Sequence, residues 1–141
     1  MRLSITTPKG SLLDAEVEEV TAPGTEGDFG VLPGHIPFLS SLRPGVLTYR
    51  TKDGEHVLAV SDGLLEVAQT PQGGQQVLVL ATQGLRISSI DRDAAALEMA
   101  ETDRQLSEWQ GDLGAEYQAL RLKRDWAEAR VNAASRGSLA H

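Results

Sequence analysis

GVLTYRTKDGEHVLAV, residues Gly45–Val60, reads as two short strands around a turn. Val46 to Thr51 and Val57 to Val60 are rich in branched and apolar residues, and Asp53-Gly54 between them is a strong short-range hairpin signal. The same punctuation runs outward in both directions. Leu3 and Ile5 alternate with polar neighbours until Pro8-Lys9-Gly10, and Val17 and Val20 belong to a run closed by Pro23-Gly24. Phe29 to Leu32 ends at Pro33-Gly34, and Phe38 to Leu42 ends at Pro44-Gly45. Downstream, Asp62-Gly63 and Pro71 to Gly74 bracket Leu64 to Ala68 and Gln76 to Ala81. Short strands with frequent turns predict an antiparallel β-sandwich over residues 1–88. VLAV (57–60) and VLVL (77–80) predict strands buried on both faces.

After Ser88 glycine disappears until Gly111, and alanine, leucine and charged residues dominate. Ser88, Ser89 or Asp91 can cap a helix that runs to about Gln110, with Gly111 in the left-handed position that ends it. Asp112 can cap a second helix to about Ser135, antiparallel to the first because the break is short. The second helix carries two apolar stripes. One is Leu113, Tyr117, Leu120, Ala127, Val131 and Ala134, and the other is Ala115, Ala119, Leu122, Trp126, Ala129 and Ala133. A helix with one buried neighbour needs one stripe, so two stripes predict packing on the first helix and on a second surface, the sandwich or another protein. The first helix is acidic and the second basic, which predicts attraction between them, each exposed pair being worth about 0–1 kcal/mol.

The chain has 141 residues, 40% hydrophobic, enough for one core or a core with an appendage. A net charge of -7 disfavours phosphate-gripping nucleic-acid binders, and two each of Phe, Tyr and Trp are too few for a base-stacking platform. Without cysteine there is neither disulfide nor thiol nucleophile. MRLSITTPKG has no apolar leader core and no apolar run approaches membrane-span length, so the expectation is a soluble chain that reaches membranes only through a partner.

Catalytic signals are absent. His35, His56 and His141 do not stand at metal-ligand spacing, and Ser40, Ser41 and Ser61 lack a nucleophile-elbow context. Glu18 and Glu19 are adjacent in a strand and point to opposite faces. The glycines from Gly24 to Gly30 are not followed by the lysine a phosphate loop requires, and serve tight reversals.

GTEGDFGVLPGHIPFLSSLRPG, Gly24–Gly45, resembles the signature region of the epsilon subunits of F-type ATP synthases. The matching positions are Gly24, Gly27, Asp28, Phe29, Gly30, Val31, Leu32, Pro33, Gly34, His35 and Pro37, then Pro44-Gly45. AVSDGLLEV, Ala59–Val67, resembles a second family motif, with Asp62 in place of a glycine. The resemblance spans the whole chain.

It implies a flattened sandwich of about ten strands (1–88) followed by a regulatory two-helix hairpin (89–141). It also implies a non-catalytic central-stalk subunit whose sandwich binds the gamma subunit and the ring of c subunits, coupling proton-driven rotation to ATP synthesis. Such a subunit sits peripherally on the cytoplasmic face of a bacterial membrane, or in a plastid. Glu26, Asp28, Phe29, His35 and Pro37 become candidates for the c-ring or gamma interface. The hairpin, extended, would enter the catalytic alpha/beta hexamer and suppress hydrolysis, with Arg121, Lys123, Arg124 and Arg130 meeting an acidic surface. No cofactor is implied. ATP enters only as a regulatory ligand at Ile90, Asp91 and Arg92, and there the family's arginine position holds Ala94 while Glu128 stands where another arginine is expected. The competing readings are a sandwich-plus-hairpin interaction module of unrelated biology and, more remotely, a small hydrolase built on His35.

Overall fold

The computed structural model describes residues 1–139. Its strands are β1 (Arg2–Thr7), β2 (Gly10–Glu16), β3 (Glu19–Gly24), β4 (Gly27–Val31), β5 (Phe38–Leu42), β6 (Gly45–Thr51), β7 (Gly54–Val60), β8 (Gly63–Gln69), β9 (Gln75–Ala81) and β10 (Gly84–Arg86). A 3-10 turn, Ile87–Ser89, leads to helices α1 (Arg92–Ser107) and α2 (Ala115–Leu139). The strand order is β10-β7-β6-β3-β5-β8-β9-β1-β2, with β4 paired to β3.

β3 and β5 meet only at Gly24 and Leu42, and there the sheet folds over into two layers. One layer holds β10, β7, β6, β3 and β4, and the other β5, β8, β9, β1 and β2. At the far ends the layers approach again, where Arg86 Nη2 donates to the Leu12 carbonyl at 2.7 Å. Between the layers lie Leu3, Ile5, Val20, Val31, Leu47, Leu58, Val60, Leu65, Val67, Val77 and Val79, all essentially inaccessible. The pairing is antiparallel except for β1 against β9, which run parallel. The first strand can lie either way because more than sixty intervening residues leave its direction unconstrained. At the edge, the Arg2 guanidinium donates to Asp14 at 2.8 Å and holds that carboxyl below its ordinary 3.8.

Several expectations need correction. The run around Val17 and Val20 is two strands: Val17 sits in the bend between β2 and β3, its N–H bound to the Met1 carbonyl at 2.8 Å. β10 carries no run long enough to announce itself. The Asp53-Gly54 hairpin is present, but Lys52 and Asp53 form its loop and Gly54, at φ +117°, pairs with Thr51. VLAV is buried on both faces, whereas Leu80 in VLVL is 47% exposed.

That last difference comes from the helices. Leu58 and Val60 point into the sandwich core, while Val57 and Ala59 point outward under Trp126, Ala129 and Ala133 of α2. The hairpin therefore forms a third layer over β6 and β7. Nothing equivalent covers β8 and β9 among the described residues.

Only the C-terminal halves of the two stripes find partners within the chain, because Leu113, which precedes α2, and Ala115, Ala119 and Leu122 are exposed. The Trp126 stripe packs on the sandwich, and Ala127 and Ala134 are buried toward α1, whose own buried positions are Ala95 and Thr102. Thr102 is satisfied by donation to the Glu98 or Met99 carbonyl. Small residues at sevenfold spacing let the helices approach closely. Arg124 bonds Asp103 at 2.9 Å, Arg130 pairs with Glu98, and Arg92 Nε donates to Ser135 Oγ at 3.1 Å, so the attraction between acidic and basic helices is realised.

Of the proposed caps, Asp91 is the one used, accepting the Ala94 N–H at 3.0 Å. α1 ends at Ser107, earlier than expected, and Gly111 does not have positive φ. Trp109 lies over it, Nε1 bonded to the Asp112 carbonyl at 2.8 Å and ring edge-on to Tyr117 at 5.6 Å. A Cβ at Gly111 would come within 3.3 Å of that indole nitrogen, so the glycine there makes room. Asp112 accepts from the Gly114 N–H, so α2 starts at Ala115, and it continues past Ser135 through Gly137 to Leu139.

Candidate functional site

The glycine- and proline-rich run from Gly24 to Gly45 forms the β3–β4 hairpin, the β4–β5 loop and β5. Glu26 is exposed at the tip of the β3–β4 hairpin, where Gly27 adopts φ +128°. Asp28 is ion-paired with Arg43 at 2.5 Å, both half exposed. Phe29 from one layer meets Phe38 from the other edge-on at 5.4 Å, and His35 from the β4–β5 loop lies 5.6 Å from Phe38. This aromatic trio closes the open end of the core. His35 Nδ1 contacts the Ile36 carbonyl at 2.7 Å, and Pro37 is exposed. Of the sequence-derived residues, Phe29 and His35 are brought together through Phe38, with Pro37 exposed beside it, while Glu26 and Asp28 lie on the β3–β4 hairpin, Asp28 held to Arg43.

Residues missed by sequence reasoning add to that end. Leu32 is 56% and Ile36 72% exposed on the loop that carries His35. Gln75, first residue of β9, accepts from the Gly34 N–H at 2.9 Å and donates to the His35 carbonyl at 3.2 Å.

A second surface is the bare outer face of β5, β8 and β9. Leu39 is 65%, Leu64 45% and Leu80 47% exposed. Leu64 pairs directly with Leu80, and Leu39 pairs with Glu66, one step along the same face. Three neighbouring leucines that shun no water make a patch of the kind that marks a protein contact. The signal was present in the apolar runs LLEV and VLVL, but coverage of a strand's second face depends on where the helices settle.

The hairpin is the third candidate surface. Arg121 and Lys123 are exposed and form no ion pair among the described residues. Arg124 is ringed by Asp103, Asp125 and Glu128. Arg130 pairs with Glu98 and stands 5.4 Å over the Trp126 ring. The hairpin's one ion pair to the sandwich among the described residues is Arg136 with Glu55, at 3.2 Å and half exposed. Between α2 and the Ser61–Asp62 and Thr82–Gln83 turns lies an open cleft of about 520 Å³ bordered by Lys123, Trp126 and Arg130.

Ile90, Asp91 and Arg92 do not converge on a common point. Ile90 packs under α2, the Asp91 carboxylate is used as the α1 cap, and Arg92 is turned to Ser135. His56 stacks on Tyr49 at 4.8 Å with Nε2 against Thr51 Oγ1, and His141 lies outside the described residues. No group of three or more His, Cys, Asp or Glu gathers as a metal site, and no helix is long and apolar enough to cross a membrane, among the described residues.

Residues 1–86 match the family described as ATP synthase, Delta/Epsilon chain, beta-sandwich domain. An ATP synthase epsilon chain from Anaeromyxobacter dehalogenans is 39% identical over 138 residues, covering 96% of this chain and 98% of that one. One from Bradyrhizobium is 36% identical over 108 residues, 77% of this chain and 76% of the relative. A chain of the Euglena gracilis mitochondrial ATP synthase, solved as an OSCP/F1/c-ring assembly, superposes with a TM-score of 0.72 at 22% identity, over 97% of this chain and 79% of that one. A chain from the Tetrahymena thermophila mitochondrial enzyme, solved as central stalk and c-ring, gives 0.65 at 16% identity, over 95% and 96%.

Proposed function

The chain belongs to the ATP synthase epsilon-chain family, accessory subunits of that complex, and from this premise we propose that it is a rotor component that clamps the gamma subunit to the c-ring and has no active site of its own. The observation that carries the reading is the division of the sandwich's outer faces. One is covered by the chain's own hairpin, and the other presents Leu39, Leu64 and Leu80 uncovered. Burying a leucine is worth about 1.5–3 kcal/mol, so three supply a hydrophobic centre for an interface. That face takes gamma. The end formed by Glu26, Asp28, Leu32, His35, Ile36 and Pro37 takes the polar loops of the ring, on the cytoplasmic side of the membrane.

The hairpin is the regulator, present here in its folded position. In that position the acidic face of α1 occupies Arg124 and Arg130, standing in for the acidic surface of the catalytic hexamer that these bases would meet on extension. Folded and extended forms must lie within a few kcal/mol for such competition to switch anything. We propose further that nucleotide is not part of this switch. Arg124 has its charge matched by three carboxylates, the Ala94 side chain has no donor, and Asp91 is engaged in capping.

The test is assembly. The chain should bind purified gamma one to one, and Leu64→Asp with Leu80→Asp, which places charge on an exposed face without touching the core, should abolish that complex. Binding unchanged in the double variant would overturn the assignment of the face.

A further inference from the structure

We propose that Gln75 is the positioning residue of the rotor-facing loop, setting the conformation in which Leu32 to Pro37 meets its partner. The proposal rests on the reading that this loop is an interface with the rotor. The loop has little order of its own: its one internal backbone bond is the His35 N–H to the Leu32 carbonyl at 3.1 Å. Gly34 adopts φ +88°, so the chain reverses there and leaves the Gly34 N–H and the His35 carbonyl pointing away from any strand partner.

Both are met by a single side chain more than thirty residues away. The Gln75 amide accepts from Gly34 N–H at 2.9 Å and donates to the His35 carbonyl at 3.2 Å. An amide presents acceptor and donor side by side, as a neighbouring strand would. Gln75 is itself fixed. It opens β9 opposite Gln69, directly after a turn in which the Thr70 hydroxyl accepts the Gly74 N–H at 3.0 Å and the Thr70 N–H bonds the Gly74 carbonyl at 2.8 Å.

The consequence is preorganisation of apolar side chains that would otherwise collapse. Ile36 stays 72% exposed and Leu32 56%, while His35 stays against Phe38. A loop that occupies its competent shape only about a tenth of the time binds about tenfold more weakly, and the loss falls on association.

The experiment measures association and dissociation of the full chain with a purified gamma–c-ring assembly, for wild type, Gln75→Met, Gln75→Glu and, as control, Gln76→Met. Gln75→Met keeps the shape and removes both bonds. Association should slow about tenfold, dissociation should stay within about twofold, and the melting temperature should hold. The Gly34 amide should exchange with solvent about tenfold faster. Gln75→Glu keeps the acceptor for Gly34 and loses the donor to His35, so it should fall between, and Gln76→Met should behave as wild type. Wild-type association by Gln75→Met, or a loss that tracks a lowered melting temperature in both Gln75 variants, would overturn the proposal. If wild type itself ignores the assembly, the functional reading falls first and this inference with it.

Discussion

Replacing Trp126 with alanine should undock the hairpin and leave the sandwich folded. The indole is 94% buried, given its 6% residual exposure, and it packs outside the sandwich core against Val57 and Ala59. A tryptophan buries about 150–250 Å², which at about 25 cal/mol per Å² is roughly 4–6 kcal/mol as an upper limit. Large-to-small truncation of such a residue costs about 3–5 kcal/mol. Ala129 and Ala133 remain, but their methyls are small, and the half-exposed Arg136–Glu55 pair adds only about 0–1 kcal/mol. Arg130 also loses the ring beneath it. Docking should weaken by about 3 kcal/mol, roughly a hundredfold.

Hydrogen exchange resolved by residue reads this directly. Amides of α1 and α2 should exchange up to a hundredfold faster, because a short helix pair without its platform is marginal. Core amides of β1 and β9, such as those of Ile5 and Val79, should keep their protection. Two results would refute the reasoning. Uniform loss of protection would mean that the sandwich needs the hairpin, and unchanged α2 exchange would mean that the Trp126 contact does not hold it down.

Gly63→Ala should be severely destabilising, by about 3 kcal/mol or more, because its Cβ would lie 1.9 Å from the Leu80 carbonyl oxygen, which is backbone and cannot step aside. Gly30→Ala, whose Cβ meets nothing nearer than 3.9 Å, should shift stability by no more than about 0.5 kcal/mol, and chemical denaturation of the two compares them. Titrating the isolated chain with ATP in a calorimeter should show no saturable micromolar binding; a clear isotherm would mean that the carboxylates around Arg124 move aside. Removing residues 90–141 should leave gamma binding intact and raise ATP hydrolysis by the reconstituted catalytic complex, whereas unchanged hydrolysis would make the hairpin structural.

The strand layout was legible because turn chemistry punctuates it. Pro44-Gly45 and Asp62-Gly63 mark real boundaries, and β5 spans the expected residues Phe38–Leu42. The helix start was legible as one of three caps, Ser88, Ser89 or Asp91, and only the folded chain shows that the Asp91 carboxylate is the one used. Sidedness was not. Val57–Val60 and Val77–Leu80 read alike, and only the helix laid over β7 separates them. Gly111 misled because a glycine after a helix usually signals a left-handed residue, whereas here it clears space for Trp109. The Leu32–Pro37 loop stood out through its motif, but Gln75 lies outside any motif, and its pairing with Gly34 and His35 exists only once β9 has folded beside them. The second stripe of α2 pointed to another surface without naming it, since alanines and a tryptophan fit a sheet as well as a foreign helix.

The most direct measurement is the subunit ratio in a complex assembled from purified gamma, c-ring and this chain, determined by native mass spectrometry. One copy per gamma, lost when Leu64 and Leu80 carry aspartate and kept when the hairpin is absent, is the predicted result. A gamma–c-ring assembly that forms without incorporating the wild-type chain would contradict it.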